Sequence, residues 1–167
     1  MNNVILDGDW NAADFFLSLL NKNKLAKKFD FKFYKVSGLE GFEDALESLK
    51  NTVNFFCVSD VSDGYTDLEN TPHSRSVKTV FMAMRHKAAD PELREHSMSV
   101  MRELFRQLMS VLIQEKVRLE QKFIYIDSRI KFNEIDRYFF SGGSCAYFQI
   151  AEDVYTDLCY NPDEWDD

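Results

Sequence analysis

"SVKTVFMAMRHKAADPELREHSMSVMRELFRQLMSVLIQEKVRLEQ", residues 76–121, begins as a strand pattern and turns into a helix pattern with little between them. In the first part Val77, Thr79, Phe81 and Ala83 fall on one side, and Val80, Met82 and Met84 on the other. Both sides are largely apolar, which predicts a strand in the middle of a sheet with cover on each face. Asp90 then suits a helix N-cap, Pro91 the first helical position and Glu92 the first turn. Leu93, Val100, Met101, Leu104, Phe105, Leu108 and Leu112 form an apolar stripe, opposed by Arg94, Arg102, Glu103 and Arg106. The periodic run is longer than most globular helices, so a bend or break is expected near Gln114 to Lys116.

The flanking segments extend this plan. Trp10 to Leu20, "WNAADFFLSLL", places Ala13, Phe16, Leu17 and Leu20 on one helical face, with Asp9 or Asn11 as its cap. The lysine-rich "NKNKLAKK" closes that helix, with cations near the negative end of its dipole. "FDFKFYKV" alternates Phe29, Phe31 and Phe33 against Asp30 and Lys32, as a half-buried strand does. "LEGFEDALESLKN" reads as a short amphipathic helix, and "TVNFFCVS" as a strand. Beyond the long helix, "KFIYI" and "RIKFNEIDRYFF" suggest one long or interrupted strand. A turn at "SGGS" would return the chain antiparallel as "CAYFQIAEDVY". The expected fold is α+β: a mainly antiparallel sheet of four to five strands, flanked by an N-terminal helix, a short helix and one long helix. With 167 residues and no internal repeat or Pro/Gly linker, a single domain over 1–167 is expected, its acidic end 161–167 flexible.

Composition narrows the classes. The net charge is −8, with eight acids and one lysine in residues 39–70, and seven acids and no base in 152–167. Six lysines lie between Asn21 and Lys35, and residues 71–131 hold twelve bases against seven acids. An acidic chain with segregated charge disfavours specific nucleic-acid binding; its acidic and basic stretches are either solvated surfaces or faces presented to different neighbours or to copies of itself. The start, "MNNVILDGDW", lacks the features of a signal peptide, and no apolar run is long enough to span a bilayer. Cys57, Cys145 and Cys159 lack metal or disulfide spacing, so reduced thiols and a cytoplasmic location are expected.

The segment "VSDVSDGYTDLEN", residues 58–70, is the one stretch that suggests a site. Anchored on Gly64, it lacks most carboxylates of an EF-hand, although Asp60, Asp63 and Asp67 leave a looser divalent-ion site open in the loop 59–72. As a connection it is longer than a hairpin needs, which suggests a contact loop. Asp60, Asp63, Tyr65, Asp67 and Leu68 are the expected partner contacts, the two apolar residues standing among acids. His73, His86 and His96 have no zinc spacing; a pairing of His86 with Cys57 across the sheet would be the one route to a thiol nucleophile. Glu152 and Asp153 are adjacent, so a strand would turn them to opposite faces. The lysines at 22, 24, 27 and 28 suggest a basic knob. No catalytic residue, cofactor or metal ligand is assigned, and no enzyme is expected.

The element order, with "VKTVFMAMRHKAADPELR" running into the long helix and "AYFQIAEDVY" closing the sheet, resembles the tail-terminator and tail-completion proteins of tailed bacteriophages and related injection machines. The similarity spans roughly residues 10–155. It implies a ring-forming, non-catalytic homo-oligomer in the host cytoplasm or the virion, touching a tail-tube protein below and a neck protein above. The longer central loop and the acidic end depart from a minimal version of that pattern. An alternative from the charge pattern is a small acidic binding protein of the inhibitor or immunity type, docking on a basic partner.

Overall fold

The computed structural model describes residues 10–36, 54–59, 63–69, 72–87, 90–135 and 143–166. Helix α1 (Ala12–Lys22) starts at Asn11, whose side chain accepts from the Asp14 amide at 3.0 Å. The lysine-rich segment does more than close α1: it forms a second short helix, α2 (Lys24–Lys28). Asn23 joins the two. Its backbone N–H donates to Leu19 O, its Oδ1 accepts from Ala26 N at 2.8 Å, and its Nδ2 donates to Gln107 Oε1 at 2.8 Å. One side chain thus caps one helix and ties the corner to the long helix, α3 (Pro91–Glu120).

Asp90 caps α3 as expected, accepting from Glu92 N and Leu93 N. The apolar stripe is buried at Val100, Met101, Leu104, Leu108 and Leu112 and half-buried at Phe105; Met98 and Leu119 are buried with it, and Leu93, in the first turn, is exposed. The expected break near Gln114 to Lys116 does not occur. No glycine or proline interrupts this segment, and Glu115–Arg118 and Lys116–Glu120 ion pairs brace the last two turns.

The α+β architecture holds, but among the described residues the sheet has seven strands: β1 (Phe31–Val36), β2 (Asn54–Ser59), β3 (Asp63–Asp67), β4 (His73–Met84), β5 (Ile124–Ile126), β6 (Asn133–Ile135) and β7 (Ser144–Tyr155). Strands β4 and β7 pair antiparallel along all twelve residues, from His73↔Tyr155 to Met84↔Ser144, and form the spine. Half-length strands complete each side. On β4, β2 pairs with the second half and β3 with the first; on β7, β6 pairs with the first half and β5 with the second. β1 adds to β2 in parallel, the exception in a mostly antiparallel sheet. The segment 37–53 between them, where a short helix is expected, lies outside the described residues.

Strand alternation divides the sheet into two faces. Val80, Met82, Phe148, Ile150, Phe56 and Val58 join α1 and α3 in the main core. Phe148 sits between Phe16 of α1 and Phe105 of α3, with ring centroids 5.8 and 5.0 Å away. Among the described residues the opposite face carries a smaller buried cluster of Val36, Phe55, Cys57, Phe81, Ala83 and Cys145, at the β2 end. At the β3 and β5 end that same face is open.

Candidate interaction face

Four strands bring one row of side chains together across the open face. Tyr65 of β3 lies opposite Arg75 of β4, Arg75 opposite Asp153 of β7, and Asp153 opposite Tyr125 of β5. Arg75 grips Asp153 with two parallel hydrogen bonds, Nε to Oδ1 at 2.8 Å and an Nη to Oδ2 at 2.7 Å. Asp127 approaches the same guanidinium at 3.7 Å. Outside this pair stand the tyrosines, Tyr65 with 55% of its surface exposed and Tyr125 with 48%. The next row adds Asp67, His73 and Tyr155, and the His73 ring lies edge-on to Tyr65 at 6.0 Å.

The hydrogen bonds from Arg75 hold the Asp153 carboxyl below its ordinary range, with burial opposing and the charges of Arg75 and His73 assisting. Hydrogen bonding to Asp153 likewise raises Arg75. Because the folded Asp153 titrates below its unfolded counterpart, its contribution is present above the unfolded value of about 4 and is lost as pH falls through the folded value. Both side chains are one-quarter to one-third exposed, so the pair is worth about 1 kcal/mol. Arg75→Met is therefore expected to lower stability by about that much at pH 7, with the gap closing below about pH 4. Urea unfolding at pH 7 and pH 3 checks this, and an offset of constant size at both pH values would refute the ion-pair origin.

The residues expected to form the contact loop are placed differently from a loop. Residues 63–67 are a strand, with Asp63, Tyr65 and Asp67 at alternating positions, while Asp60 lies outside the described residues. Asp63 and Asp67 are four residues apart along an extended strand, about 13 Å, too far to share one ion. Among the described residues no cluster of His, Cys, Asp and Glu is arranged to hold a metal. Leu68 follows the strand with 75% of its surface exposed, and Asp67 steadies the bend by accepting from Glu69 N at 2.9 Å.

The thiol–imidazole pair is not formed. Cys57 is opposite Phe81, and burial, assisted by Cys145, pushes its thiol up to about 12. Burial pushes Cys145 up to about 12 as well. His86 instead engages Ser144, Nε2 to Oγ 2.8 Å, while Nδ1 donates to Lys87 O at 2.9 Å. A base bonded to a hydroxyl has the outline of a nucleophile pair, but Ser144 is wholly buried, so the contact satisfies an interior hydroxyl. Glu152 is buried and Asp153 faces the open side, the opposition that strand geometry requires. The lysines at 22, 24, 27 and 28 are exposed, as a basic knob should be.

A basin of about 390 Å³ continues the open face beyond Arg75. It forms because β5 and β6 both pair with β7 but leave residues 127–132 spanning the gap between them. Ile130 and Phe132 pack on the main core, Phe132 with its ring 4.6 Å from Phe105, and the alternate residues Arg129 and Lys131 line the basin beside Asp127, Val77 and Tyr147. These cations, like Arg75 and Tyr125, carry no signal of a site in the sequence, and Asp153 stands out there only as the neighbour of Glu152. The alternation in "SRIKF" was the available signal. Among the described residues no helix is long and apolar enough to cross a membrane. No family model matches the chain, and no curated protein matches it.

Proposed function

We propose that this protein is a non-enzymatic assembly subunit that associates with its own copies and with a protein partner, in the manner of the ring-forming tail-terminator and neck proteins. The observation that carries this reading is the open face, where Tyr65, Tyr125 and Tyr155 stand half-exposed around Arg75. Tyrosine and arginine are the residues most often found at the energetic centres of protein interfaces, because they bring large contact area and directed hydrogen bonds with little entropy to lose. A ring needs two different complementary patches on each subunit. Segregated charge supplies them, with the lysine knob and the Arg129–Lys131 basin against the acidic strand β3 and the C-terminal segment.

Light scattering across protein concentration and salt tests this reading. The expected result is a mass several times that of one 19.6 kDa chain, falling as salt rises, and reduced by Tyr65→Ala with Tyr125→Ala. A single-chain mass at every concentration, together with tight binding of a basic partner, would favour the inhibitor-type reading instead. The exposed acidic segment bearing Tyr160 and Trp165 is the feature that reading would use.

A further inference from the structure

The geometry points to a specific head-to-tail contact: the acidic C-terminal arm of one copy seats in the Arg129–Lys131 basin of the next. This inference rests on the assembly reading and names the two surfaces that would join.

The arm has the character of a ligand. Every residue from Asp157 to Asp166 is exposed, and the chain carries no lysine or arginine after Arg137. Its acids are Asp157, Asp163, Glu164, Asp166 and Asp167. Among them stand large side chains that the fold leaves in water, Tyr160 at 76% and Trp165 at 68% exposure. The tip is already shaped. Asn161 Oδ1 accepts from Asp163 N, residues Pro162–Glu164 make one 3₁₀ turn, and the rings of Tyr160 and Trp165 stack at 6.4 Å. A preformed tip loses little entropy on docking.

The basin has the complementary character. Among the described residues, neither the Arg129 guanidinium nor the Lys131 ammonium has a hydrogen-bond or ion-pair partner, although both line one concavity. Arg75 at its edge is shared between Asp153 and Asp127, one positive charge between two negative ones, so with Arg129 and Lys131 the site keeps a surplus of one positive charge. A surplus that small suits an acidic peptide segment better than a polyphosphate, which the overall charge of −8 would also repel. Val77 and the Tyr147 ring add apolar and aromatic surface on which an aromatic anchor such as Trp165 can rest.

Within one chain the arm does not line the basin. It leaves the end of β7 beside Pro72, where Thr156 N donates to Pro72 O. A contact between two different patches on successive copies repeats, and it closes into a ring when the rotation allows.

Two charge-reversed forms of the full chain test the contact, Arg129→Glu with Lys131→Glu, and Asp163→Lys with Glu164→Lys and Asp166→Lys. All five side chains are exposed, so both forms should fold with unchanged melting curves. Each form alone is expected to associate at least roughly tenfold more weakly than the wild type by sedimentation or light scattering. An equimolar mixture is expected to regain association, since each arm then meets a basin of opposite sign. If the wild type associates and neither reversal weakens it, the arm–basin contact is wrong while the assembly reading stands. If the wild type remains a single chain at all concentrations, both are wrong. Recovery in a chain carrying both reversals but not in the mixture would place the arm in its own basin and overturn the contact between copies.

Discussion

Replacing Phe148 with alanine is expected to lower the free energy of unfolding by about 3–5 kcal/mol, the range for deleting a buried aromatic ring from a packed core. Phe148 is wholly buried, sits on one of the two full-length spine strands, and meets Phe16 from α1 and Phe105 from α3. Those neighbours come from two separate helices, so no single shift can refill the space. Phe105 is further held by Phe132, and Phe16 by Phe56, which limits how far either ring can move inward. Such a loss approaches the whole stability of many domains, so a gentler Phe148→Leu variant serves as the measurable companion, expected to cost less in proportion to the smaller cavity. Ile113→Ala, on the outward side of α3 with its side chain mostly in solvent, should change stability by less than about 0.5 kcal/mol. Urea midpoints at constant m-value give both numbers. A Phe148→Ala cost near that of Ile113→Ala would mean that the core is not centred on this ring.

What could be read beforehand, and what could not, follows from the range of the interactions involved. The long helix is written locally: Asp90, Pro91 and Glu92 mark its start, and the stripe from Met98 to Leu112 marks its buried side. Its uninterrupted end was misjudged because length alone suggested a break, while the i,i+3 and i,i+4 ion pairs near Glu115 favour continuation. β4 and β7 were legible from alternation, and β6 pairs antiparallel with β7 as the expected hairpin requires, while Ser141 and Gly142 of its turn lie outside the described residues. β3 was not. Its five residues, "DGYTD", have turn-forming composition and almost no burial, so nothing periodic signals a strand. The ladder to β4 makes it one, and that contact is set by the neighbouring strand's length, not by local propensity.

The interaction face shows the same division. Tyr65 and Leu68 stood out as apolar residues among acids, and both are more than half exposed. Their companions on the surface come from elsewhere in the chain: Arg75 and Asp153 are 78 positions apart, and only strand register brings them together. Arg129 and Lys131 line the basin because Ile130 and Phe132 are drawn to the core. A single sequence contains that alternation but not the sheet edge it lies against.

Gly64→Val is expected to cost about 1–3 kcal/mol, the range for forcing extra atoms into a packed contact, with its structural effect confined to one strand. Gly64 is opposite Ser76, and a Cβ built at its position would fall 1.7 Å from the Arg75 carbonyl oxygen and 2.8 Å from the carbonyl carbon. Both atoms are backbone in the spine strand, so they cannot turn aside as a flexible side chain would. β4 is fixed along its other edge by twelve pairings with β7, which leaves β3 as the element that must yield. β3 has only its pairing to β4 to hold it within the described sheet. Amide exchange is therefore expected to lose protection in residues 63–67 while β7 keeps its own. The consequence for function follows from position: Tyr65 loses its place beside Arg75, and Asp63 and Asp67 leave the open face. Self-association should weaken at least as much as with Tyr65→Ala, although the core and α3 remain folded. Full protection of β3 in the Gly64→Val chain would show that the close approach at Arg75 can relax, and that the strand's place in the interaction face does not depend on a missing side chain.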